Sequence, residues 1–162
     1  MAKKKKNNID PIIYIIIGVV VFVLIAVLVR MNTHIESTLT CTKNLTGEYK
    51  ETLTFKFNAD NDLYSYNREE LLHDMSDEGL EANVKYFNEQ LDQLKDSLSD
   101  NFKYTVEKDN KELHVKTFIN VKVYPVFFNQ YLNNEHINSQ AKINDVDKYL
   151  RENDYKCYIT KR

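Results

Sequence analysis

Glycine is scarce in this chain, three residues in 162, and only Gly47 and Gly79 lie beyond residue 30. A phosphate-cradling loop needs glycines at fixed offsets, and neither a Walker loop nor a dinucleotide-binding glycine run is present. The Gly-x-Ser-x-Gly elbow of hydrolases and the His-Glu-x-x-His of zinc peptidases are missing too. The four histidines, His34, His73, His114 and His136, are scattered, and each reads as a solvated surface residue rather than an acid–base catalyst. Glu69-Glu70 and Asp77-Glu78 read as helix-start pairs, which complementarity to the helix dipole explains without chemistry. Asp60-Asn61-Asp62 reads as a turn, because calcium takes a denser set of oxygen ligands. No catalytic, cofactor-binding or metal-binding residue is assigned, and the chain reads as non-enzymatic.

Long apolar runs are few as well: there is one, Ile12 to Val29, and nothing after it is comparably hydrophobic. As a helix its 18 residues extend about 27 Å, enough to cross a bilayer core and more than an ordinary signal-peptide core. Asp10 can cap the helix, and Pro11 fits its first turn. Lys3, Lys4, Lys5 and Lys6 precede the run, against Arg30 just after it, which predicts a cytoplasmic N-terminus and an outward-facing remainder. The four lysines serve as topology signal and as a contact for anionic lipid. A cleaved signal peptide is the alternative, but Val27 to Met31 offers none of the small residues that cleavage needs. The expected organisation is a basic cytoplasmic tail (1–11), a single transmembrane helix (12–30), a tether (31–38) and an extracytoplasmic domain (39–162).

Setting aside Lys3 to Lys6, Arg30 and Asp10 leaves 17 basic against 23 acidic side chains, a net of −6 outside the anchor. No basic face for nucleic acid is indicated by that balance. Cysteine is limited to Cys41 and Cys157, one near each end of the outer domain. Across a membrane such a pair is expected to be bridged. Neither has a partner at the spacing of a zinc site or of a Cys-x-x-Cys redox motif. Asn44-Leu45-Thr46 fits a glycosylation triplet, a pattern that also arises often by chance.

The outer domain alternates strand and helix signals. Leu39 and Cys41, with Lys43, open a strand, and after a turn at residues 44–47 Tyr49, Leu53, Phe55 and Phe57 take every second position, with Glu51 interrupting. Asn58 to Asp62 supplies a turn, and Leu63 to Tyr66 returns as a hairpin partner. Leu80, Val84, Phe87, Leu91, Leu94 and Leu98 form one helical stripe, begun at Ser76 and expected to pack on a sheet rather than form a short coiled coil. A second hairpin follows: Phe102, Tyr104 and Val106, a turn at Asp109-Asn110, then alternation from Leu113 to Val123, stopped by Pro125. Pro125 can start a short helix, a polar loop covers Asn133 to Gln140, and Asn144 can cap a last helix in which Val146, Tyr149 and Leu150 share a face and Asp147 completes a cap-like pairing. Tyr155 to Thr160 reads as a terminal strand. The expected fold class is α+β: an N-terminal transmembrane helix followed by an antiparallel sheet covered by two main helices, in which the two cysteine-bearing strands can lie side by side.

Leu39-Thr40-Cys41-Thr42-Lys43 opening a strand, the long charged helix, the alternating hairpin and the closing Tyr155-Lys156-Cys157 together resemble the YehR-like small extracytoplasmic lipoproteins of Gram-positive bacteria, over roughly residues 39–160. The resemblance implies an envelope-attached α+β domain and supplies no catalytic residues. One departure concerns the anchor. Thr38-Leu39-Thr40-Cys41 lacks the small residue expected before a lipidated cysteine and lies far beyond the apolar run, so the transmembrane helix would stand in for the lipid.

Two functional classes follow. One is an envelope interaction module binding another protein or a surface component. Its candidate contact is Tyr124, Phe127, Phe128 and Tyr131, since aromatic residues are enriched in interface cores; the competing reading puts the same rings in the domain core. The other is a small-ligand carrier with a pocket between helix and sheet. Expected partners are membrane lipid through the anchor and an envelope protein or surface component, with no cofactor.

Overall fold

The computed structural model describes residues 36–46 and 49–161. The predicted tail, transmembrane helix and most of the tether lie outside the described residues. No helix among the described residues is long and apolar enough to cross a membrane.

Six strands form one antiparallel sheet: β1 (Ser37–Thr46), β2 (Tyr49–Phe57), β3 (Leu63–Leu72), β4 (Phe102–Asp109), β5 (Glu112–Asn120) and β6 (Lys156–Lys161). Three helices are described, α1 (Asp77–Leu98), α2 (Pro125–Leu132) and α3 (Ile143–Glu152). The spatial order is β4-β5-β3-β2-β1-β6, so α1 carries the chain past the place of β5 to the far edge, and the α2–α3 segment returns it to the opposite edge. The architecture is α+β.

Register explains where the core sits. One row crossing the whole sheet reads Ile159, Leu39, Phe55, Tyr66, Ile119 and Phe102, each directly opposite the next. All but the edge residue Ile159 are buried. Because side chains alternate between faces, this row fixes which alternate positions of each strand turn inward. Phe55 and Tyr66 stand 5.1 Å apart between ring centroids, and Phe128 from α2 packs on Tyr66 at 5.5 Å. Leu80, Leu91 and Leu98 of α1 belong to the same core, with Val84, Phe87 and Leu94 packed against it. The stripe therefore meets the sheet, as expected, rather than a coiled-coil partner. Ser76 Oγ accepts from the Gly79 N–H at 3.1 Å, the capping bond anticipated at its N-terminus.

Several boundaries differ from expectation, each for a local reason. β1 begins at Ser37, inside the expected tether, because Ser37 and Thr38 are flanked by Phe57 and Lys56 on one side and Lys161 and Thr160 on the other. β3 runs on to Leu72 instead of stopping at Tyr66, so Glu69 and Glu70 are strand residues on opposite faces, not a helix start. Asp77 and Glu78 do occupy the first turn of α1. β5 stops at Asn120, short of the expected Val123: the Asn120 carbonyl accepts from the N–H groups of Val123 and Tyr124 and turns the chain. Asn144 lies inside α3 rather than capping it. Lys142 is the extended residue ahead of the helix, and its carbonyl accepts from Asp145 and Val146. Asp147 bonds forward to Arg151 Nε at 2.8 Å instead of completing a cap.

Candidate functional site

The face of the sheet opposite the core is left uncovered by every described helix, since all three pack into the one core cluster. Its composition follows from register. One row reads Tyr158, Thr40, Thr54, Asn67, Phe118 and Lys103. The next reads Lys156, Thr42, Thr52, Glu69, Lys116 and Thr105. On the other side of the first row lie Thr160, Thr38 and Lys56. Six strands at about 4.8 Å spacing make this surface roughly 24 Å wide. Lys56, Lys103, Lys116 and Lys156 are exposed, and none makes an ion pair among the described residues. Glu69 is the one carboxylate in these three rows. Outside these rows Glu107, Asp109 and Glu112 gather toward the β4–β5 turn, and Glu36, just ahead of β1, accepts from the Tyr64 hydroxyl at 3.0 Å. A depression of about 200 Å³ lies around Phe118, lined also by Asn67, Glu69, Lys103, Thr105 and Lys116.

The inward face carries charge at one end. Beside the apolar row, Leu53, Arg68, Thr117 and Tyr104 stand opposite one another, followed by Lys43, Glu51, Glu70 and Val115. Arg68 Nε donates to Glu51 Oε1 at 2.6 Å, and its Nη2 reaches Glu70 Oε1 at 3.1 Å. The Tyr49 hydroxyl donates to Glu70 Oε1 at 2.6 Å, and the Tyr155 hydroxyl donates to the second oxygen of Glu51. Burial, then the hydrogen bond to Glu70, pushes the Tyr49 phenol well above its usual range; burial and the bond to Glu51 do the same for Tyr155. For Arg68, burial alone would favour the neutral form, but attraction led by Glu70 outweighs it and holds the guanidinium charged. Glu51 is buried and Glu70 half-buried, and both have donors already in place, an arrangement that secures the sheet end. The Thr117 hydroxyl, next to Arg68, is buried with no hydrogen-bond partner among the described residues.

Cys41 and Cys157 sit directly opposite each other on β1 and β6, Cα atoms 4.1 Å apart, and are joined as a disulfide. The Asp147 carboxylate lies within 4.8 Å of both sulfurs. The sulfurs are consumed in the bridge, however, and Asp147 already accepts from Arg151.

The aromatic segment divides. Phe128 is wholly buried and has no surface to offer a partner, which makes it a core residue rather than a contact. Tyr124, Phe127 and Tyr131 are partly exposed and pack along the core's rim, with Phe127 edge-on to Phe102 at 6.2 Å and 5.8 Å from Tyr131. The freely exposed apolar side chains nearby are Val123 and Val126, which aromatic patterning did not single out. Nor are the histidines all isolated. His73 Nδ1 lies 2.7 Å from Glu112 Oε1 and His114 Nε2 lies 3.4 Å from Oε2, and the bond from His73 holds the Glu112 carboxyl below its usual range. His136 stacks on Tyr149 at 4.6 Å beside a depression of about 640 Å³ lined by Asn129, Asn133, Asn134 and Glu135. The Asp60-Asn61-Asp62 segment is a turn: Asn58 Oδ1 accepts from the N–H groups of Asp60 and Asp62, while Asp62 pairs with Lys142.

No family model matches the chain, and no curated protein does. Among solved structures, an NMR structure of a protein from Streptococcus pneumoniae TIGR4 is similar at a TM-score of 0.51 and 14% identity, covering 78% of this chain and 84% of that one. At that identity the likeness speaks to the fold alone.

Proposed function

We propose that the chain is a non-enzymatic interaction module of the cell envelope: residues 12–30 span the membrane, the N-terminus is cytoplasmic, and the α+β domain docks a partner outside. The observation that carries this reading is the uncovered sheet face, three rows of hydroxyl, amide, aromatic and ammonium groups about 24 Å across, presented by strands whose other face is locked into the core. A surface built on paired strands is held rigidly, which suits recognition of an extended partner. The resemblance to YehR-like envelope proteins agrees with this placement. The carrier alternative has less support, because the helix–sheet interface is filled by Leu80, Leu91, Leu98, Phe102, Val115 and Ile119.

Lysine acetylation footprinting tests the docking surface without presupposing the partner. In intact cells Lys56, Lys103, Lys116 and Lys156 should be modified several-fold more slowly than in chain purified in neutral detergent, whereas Lys85 and Lys148 on the helices should react equally in both. Equal rates at all six would remove the basis for the proposal.

A further inference from the structure

We propose that the partner of the uncovered sheet face is an anionic polysaccharide, a chain of sugar rings bearing carboxylate, sulfate or phosphate groups. This deepens the docking reading and rests on it. The first argument is charge segregation. The domain outside the anchor is acidic overall, yet the three rows place Lys56, Lys103, Lys116 and Lys156 against Glu69 alone. Within these rows the four ammonium groups, none in an ion pair among the described residues, outnumber the one carboxylate and create a local positive field that attracts polyanions and orients their approach, while Glu107, Asp109 and Glu112 lie off toward the β4–β5 turn.

The second argument is what lies between the lysines. Thr40, Thr54 and Asn67 form a line of hydroxyls and an amide with Tyr158 at one end and Phe118 toward the other. Tyr158 and Phe118 are four strand spacings apart, about 19 Å, so a linear chain laid across the strands meets an aromatic ring near each end and hydrogen-bonding groups between. The depression around Phe118 is lined by Lys103 and Lys116, with Glu69 opposite Lys116, and gives one ring a place to settle with its anionic group toward Lys103. A bilayer surface would use the ammonium groups but not the amide line, and a polar polymer uses both.

Dextran sulfate serves as the probe, with neutral dextran and soluble glycerophosphoglycerol, the headgroup of an anionic lipid without its acyl chains, as comparison arms. The full chain in neutral detergent is used with Lys3, Lys4, Lys5 and Lys6 replaced by glutamine, so that the basic tail cannot capture the polymer. Dextran sulfate should bind, with affinity falling about tenfold as salt rises from low to high ionic strength, while neutral dextran and glycerophosphoglycerol bind far more weakly. Adding Lys56→Gln, Lys103→Gln, Lys116→Gln and Lys156→Gln should weaken binding about tenfold or more without changing the melting temperature, because these side chains are exposed on the face away from the core. Phe118→Ala should weaken binding while leaving its salt dependence intact. Replacing Lys85, Lys95 and Lys148 instead should leave binding unchanged. The proposal is overturned if dextran sulfate fails to bind, if the helix-lysine set weakens binding as much as the face set, or if glycerophosphoglycerol binds in preference to the polymer. Slow acetylation of the face lysines in cells combined with no binding of dextran sulfate would reject the anionic polysaccharide and leave the docking surface standing.

Discussion

Replacing Phe128 by alanine isolates the tie between the second hairpin's exit and the sheet centre. Its ring is wholly buried and packs against Tyr66, which itself packs at a tilt on Phe55 across the β2–β3 pair. Truncation removes the transfer free energy of a buried aromatic and leaves a void that flanking α2 cannot close, because Pro125 and the Asn120 turn hold its N-terminal end. The expected cost is about 3–5 kcal/mol. For a domain of this size that corresponds to a fall in melting temperature of about 10–20 °C. The chain has eleven tyrosines and no tryptophan, so near-ultraviolet circular dichroism of the full chain in neutral detergent reports the loss of ring packing directly. Val126→Ala, on the same helix but 68% exposed, should change stability by less than about 0.5 kcal/mol. Phe127→Ala, at the rim, should fall between the two. A Phe128→Ala melt within about 2 °C of the parent would mean that the ring is not packed in the core, since a wholly buried ring is not removed at so small a cost.

Mass spectrometry of a non-reduced digest should show the Cys41–Cys157 linked peptide, and replacing both cysteines by alanine should cost up to about 4–5 kcal/mol on the chain-entropy account; two freely alkylated thiols would contradict the bridge. Thr117→Val should be neutral or stabilise the protein by roughly 1 kcal/mol, because it removes a buried hydroxyl without a partner; a clear loss on chemical denaturation would mean that the hydroxyl is satisfied. Tyr49 and Tyr155 have folded-state phenol pKa values above the unfolded value, so the folded form holds their protons longer, and the stability they contribute is complete below about pH 10 and is lost as pH rises beyond it. Alkaline denaturation should therefore become less steep in Tyr49→Phe and Tyr155→Phe, and an unchanged alkaline slope would argue against the buried phenol–carboxylate bonds. Protease added to intact cells should remove residues 31–162 and spare the N-terminus, and protection of the α+β domain would overturn the proposed topology.

Alternation alone locates β2, β4 and most of β5, and the Leu80-to-Leu98 stripe locates α1, because each has one apolar face and period is a local property. The second half of β3 is hidden for the same reason. Its inward positions are Arg68 and Glu70, whose presence on the buried side is made tolerable only by Glu51, Tyr49 and Tyr155 arriving from β2 and the start of β6. Glu51, an interruption in sequence, becomes the acceptor at the centre of that network. The cysteine pair suggests a bridge once the domain is read as extracytoplasmic, but its direct opposition depends on β6 returning beside β1 rather than beside β4. The uncovered face is the least legible feature. Its lysines come from β2, β4, β5 and β6, separated by as many as a hundred residues, and each looks like an ordinary solvated charge until hydrogen-bonded register sets them on one side of a sheet in an otherwise acidic domain. Local sequence carries period and turn chemistry, whereas the order of strands, and with it which charges become neighbours, is decided by how the helices close over the other face.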